Sequence, residues 1–482
     1  MTDDRLLAAF YGDDFTGSAD VLQTLAERGL PTVLFLAPPA PDDLARFPGV
    51  RAVGVAGTSR AMSPAQMDLE LPPVFRALRA LGPRFCHYKV CSTFDSAPEI
   101  GSIGRAIDLG QAVFGSPFVP LVIGVPAYRR YCLFGQLFAA AGREIVRLDR
   151  HPTMSRHPAT PMTESDLRLH LARQTSKSIG LFDILDQDGT ASEVDERLRA
   201  CLAERPEILL FDVLDERRLA EIGRLLWELS EEEPLFVAGS SGLEFGLIGH
   251  LQAAGVLATP RADALQDAAP VDQLLVMSGS CSPATEVQIA RALGHGFVGL
   301  ELDTVGLVDP SGRAAARSAA EERIVALLRR GESVVAYSAR GPQDPAIEQV
   351  RAHWPDRGGE TTMGNVGQAL GTELGRILRG VIERYPLPRV LIAGGDTSGQ
   401  CARAVGIRAL EIKARTSVAG IPVCRAHAPG EPVDGTEFVF KPGQFGAEDF
   451  FDSVRAGRLP GEAAPDRQRV DDAGSPFGAL GS

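Results

Sequence analysis

Residues 6–28 read LLAAFYGDDFTGSADVLQTLAER, an apolar run followed by an acidic turn and a helix-like run. The turn, residues 12–17, places Asp13 and Asp14 directly after the apolar residues 6–11. A buried strand, a turn and a helix in this order are typical of a parallel α/β sheet, where strand ends and helix starts form a crevice for ligands. The stretch therefore predicts an α/β fold with an active-site turn at Asp13 and Asp14.

Two other interpretations of the acidic turn need to be weighed. Gly12 and Gly17 have the spacing of a phosphate-binding P-loop, and Ser18 follows them. The lysine of a P-loop is missing, and two carboxylates would repel phosphates, so phosphate binding at this turn is disfavoured. A purely structural role, in which the aspartates cap the following helix, stays open.

Composition narrows the class of protein. A chain of 482 residues exceeds what one hydrophobic core usually supports, so two domains are expected. A net charge of -13 argues against nucleic acid as a partner. The seven cysteines show no C-x-x-C spacing, which is typical of reduced, cytoplasmic thiols. The amino terminus lacks the pattern of a signal peptide, and no apolar stretch is long enough to cross a membrane, so we expect a cytoplasmic protein without a membrane partner.

Short apolar runs alternate with helix-period segments along most of the chain. This alternation predicts mostly parallel sheets covered by helices, with helices at residues 216–229 and 241–251. The predicted strands are residues 33–36, 52–56, 118–124, 208–213, 235–238, 273–277, 297–302, 333–337 and 389–393.

A stretch rich in proline, alanine and acidic residues divides the series into two halves. We predict one α/β domain at residues 1–255, a linker at 256–272, a second α/β domain at 273–459 and a disordered tail at 460–482. Two such domains should enclose an active-site cleft between them.

Two turns in the second half share one pattern, in which a buried strand runs into small residues and then into a helix. They are residues 278–285, Ser-Gly-Ser-Cys-Ser-Pro-Ala-Thr, and residues 393–399, Ala-Gly-Gly-Asp-Thr-Ser-Gly. Glycine lets the backbone approach a ligand, and a helix start favours an anion. The turns together predict a nucleotide polyphosphate site, although a steric role for either stays open. The candidate residues are Gly279, Ser280, Ser282, Thr285, Gly394, Gly395, Asp396 and Thr397.

Further residues extend this second site. Asp396 is the candidate ligand for a divalent cation, because carboxylate oxygens suit Mg²⁺. A third glycine turn, residues 363–367, adds Gly364 and Asn365 as residues that line the same pocket.

The chain has no G-x-G-x-x-G after a strand, no zinc-binding array and no G-x-S-x-G, which disfavours a nicotinamide enzyme, a zinc enzyme and a serine hydrolase.

Cationic residues also follow strands in the first half. Arg60 comes after residues 57–59 at the end of one predicted strand, and Lys89 ends the apolar, aromatic run at residues 85–89, before Ser92 and Thr93. Arginine can grip a carboxylate with two parallel hydrogen bonds, and lysine supplies a mobile positive charge. We expect these four residues to bind an anionic substrate.

The motifs quoted above, taken in order, are similar to those of the four-carbon acid sugar kinase family. The resemblance runs from about residue 6 to residue 455 and rests on five segments. These are residues 13–17, residue 89 with 91–96, residues 157–162, residues 279–282 and residues 394–398. The Ser-Thr-Phe-Asp-Ser segment at residues 92–96 resembles the version in 3-oxo-tetronate kinases, although residues 97–104 depart from the family pattern.

The resemblance implies a sugar-acid-binding first domain and an ATP-binding second domain. It implies transfer of the γ-phosphoryl group of ATP, with Mg²⁺, to the 4-hydroxyl of 3-oxo-tetronate, threonate or erythronate. Asp14, or failing that Asp13, would be the base, Arg60 and Lys89 would hold the sugar carboxylate, and the glycine turns would cradle the phosphates. A non-catalytic sensor of nucleotide and sugar acid, a sugar-acid dehydrogenase and a homo-oligomer stay open as alternatives.

Overall fold

The structure is a computed structural model that describes residues 6–157, 159–231, 233–260, 265–353, 363–418 and 420–457. The predicted tail at residues 460–482 lies outside these ranges. Among the described residues, no helix is both long enough and apolar enough to cross a membrane.

The first half alternates strands with helices, as the sequence predicts. Its strands are β1 (Ala8–Gly12), β2 (Thr32–Phe35), β3 (Ala52–Ala56), β4 (Phe85–Lys89), β5 (Val119–Val122), β6 (Arg130–Leu133), β7 (Gln136–Ala141), β8 (Glu144–Arg147), β9 (Ile179–Phe182), β10 (Ile208–Phe211) and β11 (Leu235–Gly239). Its helices are α1 (Phe15–Glu27), α2 (Pro41–Leu44), α3 (Pro64–Ala80), α4 (Ile103–Phe114), α5 (Leu167–Leu171), α6 (Ala191–Ala203), α7 (Glu216–Leu229) and α8 (Gly242–Ala253).

The second half repeats this alternation and closes with an antiparallel segment. Its strands are β12 (Leu275–Ser278), β13 (Phe297–Glu301), β14 (Ser333–Tyr337), β15 (Arg389–Ala393), β16 (Ala409–Ala414), β17 (Val423–His427) and β18 (Glu437–Lys441). Its helices are α9 (Pro283–Gly294), α10 (Thr304–Val308), α11 (Arg313–Arg329), α12 (Pro345–His353), α13 (Met363–Arg384), α14 (Gly395–Val405) and α15 (Phe450–Ala456). The mostly parallel α/β class predicted from the sequence is confirmed.

The two halves share one sheet, which the sequence did not predict. The strand order is β13-β14-β12-β15-β18-β17-β16-β2-β3-β1-β4-β11-β5-β10-β9. The halves join where β16 pairs antiparallel with β2, Ala409 with Phe35 and Leu410 with Leu34. The division into domains at 1–255 and 273–459 stays a prediction, because this pairing makes the sheet continuous.

Sheet twist positions the two halves of the site. The antiparallel junction directs the carboxyl ends of β12, β15 and β18 toward the edge opposite to that of β1, β3 and β4. Six strand-to-strand steps separate β1 from β15. Because each step of a twisted sheet rotates the strand direction by roughly 20–25°, β15 is rotated by roughly 120–150° relative to β1. Helix α14, which follows β15, therefore packs against α1, which follows β1.

Apolar side chains from both halves form one core at this contact. The cluster includes Leu22 and Leu25 of α1 together with Val390 and Ile392 of β15, all at most 3% exposed. Because burial of apolar surface contributes about 25 cal/mol per Å², this shared core stabilises the contact between the two halves.

Candidate active site

The acidic turn lies where β1 ends and α1 begins. Asp14 is the N-cap of α1, and its Oδ1 accepts a hydrogen bond from the Gly17 N–H at 2.6 Å. The Asp13 N–H donates to the Lys89 carbonyl at 2.9 Å, which ties the turn to the end of β4. Helix capping, one of the roles left open by the sequence, is thus present at Asp14, and Asp13 does not share it.

The Arg60 guanidinium binds both aspartates. Its Nε and Nη2 donate to the two carboxylate oxygens of Asp13 at 3.0 and 2.8 Å, and its Nη1 donates to Asp14 Oδ2 at 2.6 Å. The backbone N–H of Arg60 also donates to the backbone carbonyl of Asp13 at 3.0 Å. The sequence predicted that Arg60 binds the substrate carboxylate. In the structure, its guanidinium instead donates hydrogen bonds to Asp13 and Asp14, two carboxylates of the protein itself.

Burial gives the two carboxylates different environments. The side chain of Asp13 is 3% exposed and that of Asp14 is 26% exposed. Burial raises the pKa of Asp13 above the ordinary aspartate value, Arg60 opposes the rise, and the neighbouring charge of Asp14 adds to it. Asp14 is therefore the carboxylate that a substrate can reach, and Asp13 is the enclosed one.

The predicted ligands at the end of β4 lie beside this turn. Lys89 is buried, its Nζ donates to the Val90 carbonyl at 2.9 Å, and a Cβ built on Gly17 would lie 2.9 Å from that Nζ. Thr93 donates its hydroxyl to Asp95 Oδ1 at 2.7 Å, and Ser92 precedes it as a half-buried residue. The structure therefore brings Lys89, Ser92 and Thr93 to the edge that carries the aspartates.

The Cys91 thiol in the same segment is not an activated nucleophile. Burial raises its pKa to about 11, and the nearby Asp95 adds to the rise. A thiol with a raised pKa stays protonated at neutral pH, and nucleophilic attack requires the thiolate.

The two glycine turns of the second half contact each other. A Cβ built on Gly279 would lie 2.4 Å from Thr397 Oγ1, so only glycine fits there. Gly394 has φ +130°, and a Cβ on it would lie 2.8 Å from Thr397 Oγ1 and 3.4 Å from the Ser280 nitrogen. Glycine leaves these backbone segments open to close approach by a ligand.

Hydroxyl groups and a buried lysine complete this region. Ser282 is the N-cap of α9 and donates its hydroxyl to the Gly443 carbonyl at 2.5 Å, and Ser280 Oγ lies 2.9 Å from Thr285 Oγ1. Lys441, at the end of β18, donates its Nζ to Thr285 Oγ1 at 3.0 Å and to the Gly443 carbonyl at 2.9 Å. Burial lowers the pKa of Lys441 to about 8.

Lys441 was missed in the sequence, although a signal for it exists. It ends the apolar, aromatic strand Glu-Phe-Val-Phe-Lys, the same pattern that marks Lys89 at the end of β4. A lysine in that position ends a buried strand at a turn, where its charge can meet a ligand.

The remaining candidates can be placed only by their backbone. Gly364 and Asn365 belong to the first turn of α13 and Asp396 to the first turn of α14, and their side chains lie outside the described part of the chain. Helix α13 runs beside the second glycine turn, since a Cβ on Gly371 would lie 3.3 Å from the Thr397 Cα. Among the described residues, no group of three or more His, Cys, Asp or Glu could hold a metal ion.

The acidic turn and the second glycine turn meet. A Cβ built on Gly395 would lie 3.8 Å from Thr16 Oγ1, and one on Gly399 would lie 2.9 Å from the Cβ of Phe15. The Phe15 ring packs edge-on against Phe440 of β18, with centroids 4.8 Å apart. The starts of α1 and α14 thus lie side by side, which places the acidic pair next to the second glycine turn.

Comparison with known proteins finds one family model for each half of the chain. The family model of a sugar-binding N-terminal domain matches residues 8–247, and that of a nucleotide-binding C-terminal domain matches residues 275–451. A 3-oxo-isoapionate kinase of Paraburkholderia graminis is 47% identical, covering 95% of each chain. The 3-oxo-tetronate kinase of Cupriavidus necator is 30% identical, covering 93% of this chain and 96% of its own.

Solved structures show the same fold. A protein of Salmonella typhimurium LT2 superposes with a TM-score of 0.73 at 24% identity, and a Haemophilus influenzae protein with a TM-score of 0.69 at 22% identity. Each alignment covers 93% of this chain and 99% of the other.

A sugar-binding half and a nucleotide-binding half that meet at an acidic turn define a phosphotransferase with an alcohol group as acceptor. The chain belongs to the four-carbon acid sugar kinase family, and it is a kinase of a sugar acid.

Proposed function

We propose that the protein transfers the γ-phosphoryl group of ATP to the 4-hydroxyl of a 3-oxo sugar acid. The contact between the acidic turn and the second glycine turn carries the proposal, because phosphoryl transfer depends on holding donor and acceptor together. The names of the relatives supply the substrate class, with 3-oxo-isoapionate at 47% identity and 3-oxo-tetronate at 30% identity. All seven cysteines are free, which agrees with the cytoplasmic location expected from the sequence. ATP is the phosphoryl donor that we propose for that location.

Asp14 is the proposed base for the acceptor hydroxyl. Its side chain is 26% exposed, whereas that of Asp13 is 3% exposed and has both oxygens on Arg60. A base must come within hydrogen-bonding reach of the proton that it accepts. We assign to Asp13 and Arg60 the task of fixing the orientation of the Asp14 carboxylate.

Lys89, Ser92 and Thr93 line the acceptor side of the proposed site. The Lys89 Nζ lies beside Gly17 in the acidic turn, where its charge balances the carboxylates and favours an anionic substrate. The hydroxyls of Ser92 and Thr93 offer hydrogen bonds to the substrate's own hydroxyl and carbonyl oxygens.

The glycine turns and Lys441 form the proposed nucleotide side. Backbone N–H groups at the start of α14 and the charge of Lys441 suit a polyphosphate. Mg²⁺, when bound to the nucleotide, neutralises charge on the phosphate oxygens, and Asp396 is its proposed protein ligand. The proposed nucleotide-binding residues are Gly279, Ser280, Ser282, Thr285, Gly364, Asn365, Gly394, Gly395, Asp396, Thr397 and Lys441.

A substrate panel tests the reaction. ADP release should be measured in a coupled assay with 3-oxo-isoapionate, 3-oxo-tetronate, threonate and erythronate, and the product examined by ³¹P NMR. We expect release of ADP with a 3-oxo acid and a phosphomonoester on its 4-hydroxyl. Absence of acceptor-dependent ADP release with every sugar acid would refute the proposal.

Asp14→Asn tests the base. Asparagine caps a helix as well as aspartate does, so the fold and ATP binding should survive. Loss of a general base lowers turnover by roughly 10²- to 10⁴-fold. The matched control is Asp215→Asn, because Asp215 caps α7 in the same way and takes no part in the site. Near-normal turnover of Asp14→Asn would move the role to another residue.

A further inference from the structure

One arginine of the second half reaches across to the first. Arg403 lies near the end of α14, the helix that begins at the second glycine turn. Its Nη2 donates to the backbone carbonyl of Ala56, the last residue of β3. Its Nη1 donates to the Gly399 carbonyl of its own helix at 3.3 Å. The guanidinium therefore joins α14 to the strand end that precedes Arg60.

The charge of Arg403 is not balanced by a carboxylate. The residue is half-buried, its burial lowers the pKa of the guanidinium, and in the described part of the chain it forms no ion pair with Asp or Glu. Taking a charge out of water is costly unless an opposite charge accompanies it. An arginine whose partners are two backbone carbonyls, one in each half, points to a role in holding those halves in register.

The segment that Arg403 holds is tied directly to the acidic turn. Within residues 56–60, the Gly57 N–H donates to the Gly12 carbonyl at 2.9 Å, and the backbone N–H of Arg60 donates to the Asp13 carbonyl at 3.0 Å. The Arg60 guanidinium in turn binds both aspartates. A displacement of the end of β3 would therefore be passed to the carboxylates of the acidic turn.

The other end of this connection lies on the helix that follows the second glycine turn. A Cβ built on Gly399 would lie 2.9 Å from the Cβ of Phe15 and 3.4 Å from the Nη1 of Arg403. The guanidinium thus lies beside the contact between α14 and the start of α1. A shift of α14 along this contact would move the second glycine turn relative to Asp14.

We propose that Arg403 is a positioning residue that aligns the nucleotide side of the site with Asp14. This inference rests on the proposed function and names a residue that sets the geometry of transfer. Arg403 is not among the groups proposed to bind ATP or the sugar acid, so each substrate keeps its own ligands when the guanidinium is removed. Because a misplacement of about 1 Å can slow a reaction by about 10²-fold, loss of Arg403 should act on turnover and spare binding.

Steady-state kinetics with Arg403→Met and Arg403→Lys test the assignment. In Arg403→Met, kcat should fall by roughly 10- to 100-fold, while the KM for ATP and the KM for the sugar acid stay near their wild-type values. Arg403→Lys should recover part of kcat, because lysine can still donate to one of the two carbonyls. The matched control is Arg379→Met, since Arg379 lies beside Gly406 at the end of α14 but binds Glu431 of the same half, and its kcat should resemble the wild type.

Calorimetry separates alignment from a general loosening of the structure. A non-hydrolysable ATP analogue and the sugar acid, each titrated alone, should bind Arg403→Met with wild-type Kd values. If Arg403→Met fails to fold, Arg403→Lys gives the same test, with a smaller fall in kcat at unchanged Kd. An unchanged kcat, a loss that lies wholly in KM, or an equal fall in Arg379→Met overturns the assignment. A wild-type enzyme inactive on every sugar acid would instead refute the proposed function.

Discussion

Replacement of Arg60 by methionine should leave two carboxylates without their cation. The three hydrogen bonds of 2.6 to 3.0 Å would be lost, and Asp13 would be an unpaired charge with a 3% exposed side chain. Breaking a buried ion pair costs about 3–5 kcal/mol. Because the Arg60 side chain is 29% exposed and water can enter in its place, we expect a loss near the lower end, about 3 kcal/mol of unfolding free energy at neutral pH.

The loss of unfolding free energy in Arg60→Met should become smaller as the pH is lowered. Burial already raises the pKa of Asp13, and removal of Arg60 removes the main opposing influence, so the pKa rises further in the folded variant. Between the ordinary aspartate pKa of the unfolded chain and this raised value, the folded variant binds a proton that the unfolded chain does not. Lowering the pH therefore favours folding, and the difference from wild type should shrink toward about pH 5.

Urea unfolding followed by circular dichroism, at neutral pH and at about pH 5, measures both effects. The control is Arg105→Met, whose partner Asp68 is exposed on the surface, with side-chain exposures of 38% and 42%. That pair should contribute at most about 1 kcal/mol. Equal losses for the two variants, or a loss for Arg60→Met that stays constant with pH, would refute the role assigned to Arg60.

Two further predictions concern the nucleotide side. Gly394→Ala forces a side chain into φ +130° and toward Thr397 Oγ1, so the KM for ATP should rise at least about tenfold, while Gly294→Ala, at the end of α9 with open space around it, should have no effect. An unchanged KM for Gly394→Ala would remove that turn from the site. Because the pKa of Lys441 is lowered to about 8, its charge is lost as the pH rises through that value, and the KM for ATP should increase there. Lys441→Met should abolish this rise in the KM for ATP, and Lys413→Met, a control at an exposed lysine, should retain it. A rise that persists in Lys441→Met would exclude Lys441 from nucleotide binding.

The strands that carry the site could be predicted because their sequences are apolar and end in small or charged residues. Strands β3, β14 and β15 lie where the apolar runs at residues 52–56, 333–337 and 389–393 place them. Within each half, the candidate residues lie close together because the carboxyl ends of neighbouring parallel strands share one edge of the sheet, as at β1, β3 and β4 and at β12 and β15.

The three-stranded sheet of β6, β7 and β8 could not be predicted. Its first turn places Phe134 at φ +52°, a conformation that no local sequence signal indicates for phenylalanine. The buried carboxylate of Asp212, far along the chain, accepts the N–H groups of Phe134 and Gly135 at 2.5 and 2.9 Å and holds the turn. A conformation fixed by a distant side chain leaves no mark in the neighbouring residues.

The pairing of charges inside the site was also beyond sequence reasoning. The sequence predicts that Asp13, Asp14 and Arg60 lie beside a ligand, but whether the Arg60 guanidinium binds substrate or protein depends on distances between separate strand ends. The antiparallel junction of β16 with β2, which turns the second glycine turn toward Thr16, likewise depends on long-range pairing.

A crystal structure with a non-hydrolysable ATP analogue and a 3-oxo sugar acid tests the central claim most directly. The account predicts that the terminal phosphate lies against the backbone of Gly394 and Gly395, with the acceptor hydroxyl between it and Asp14. A terminal phosphate directed away from Thr16, with the sugar acid bound out of reach of Asp14, would contradict the account.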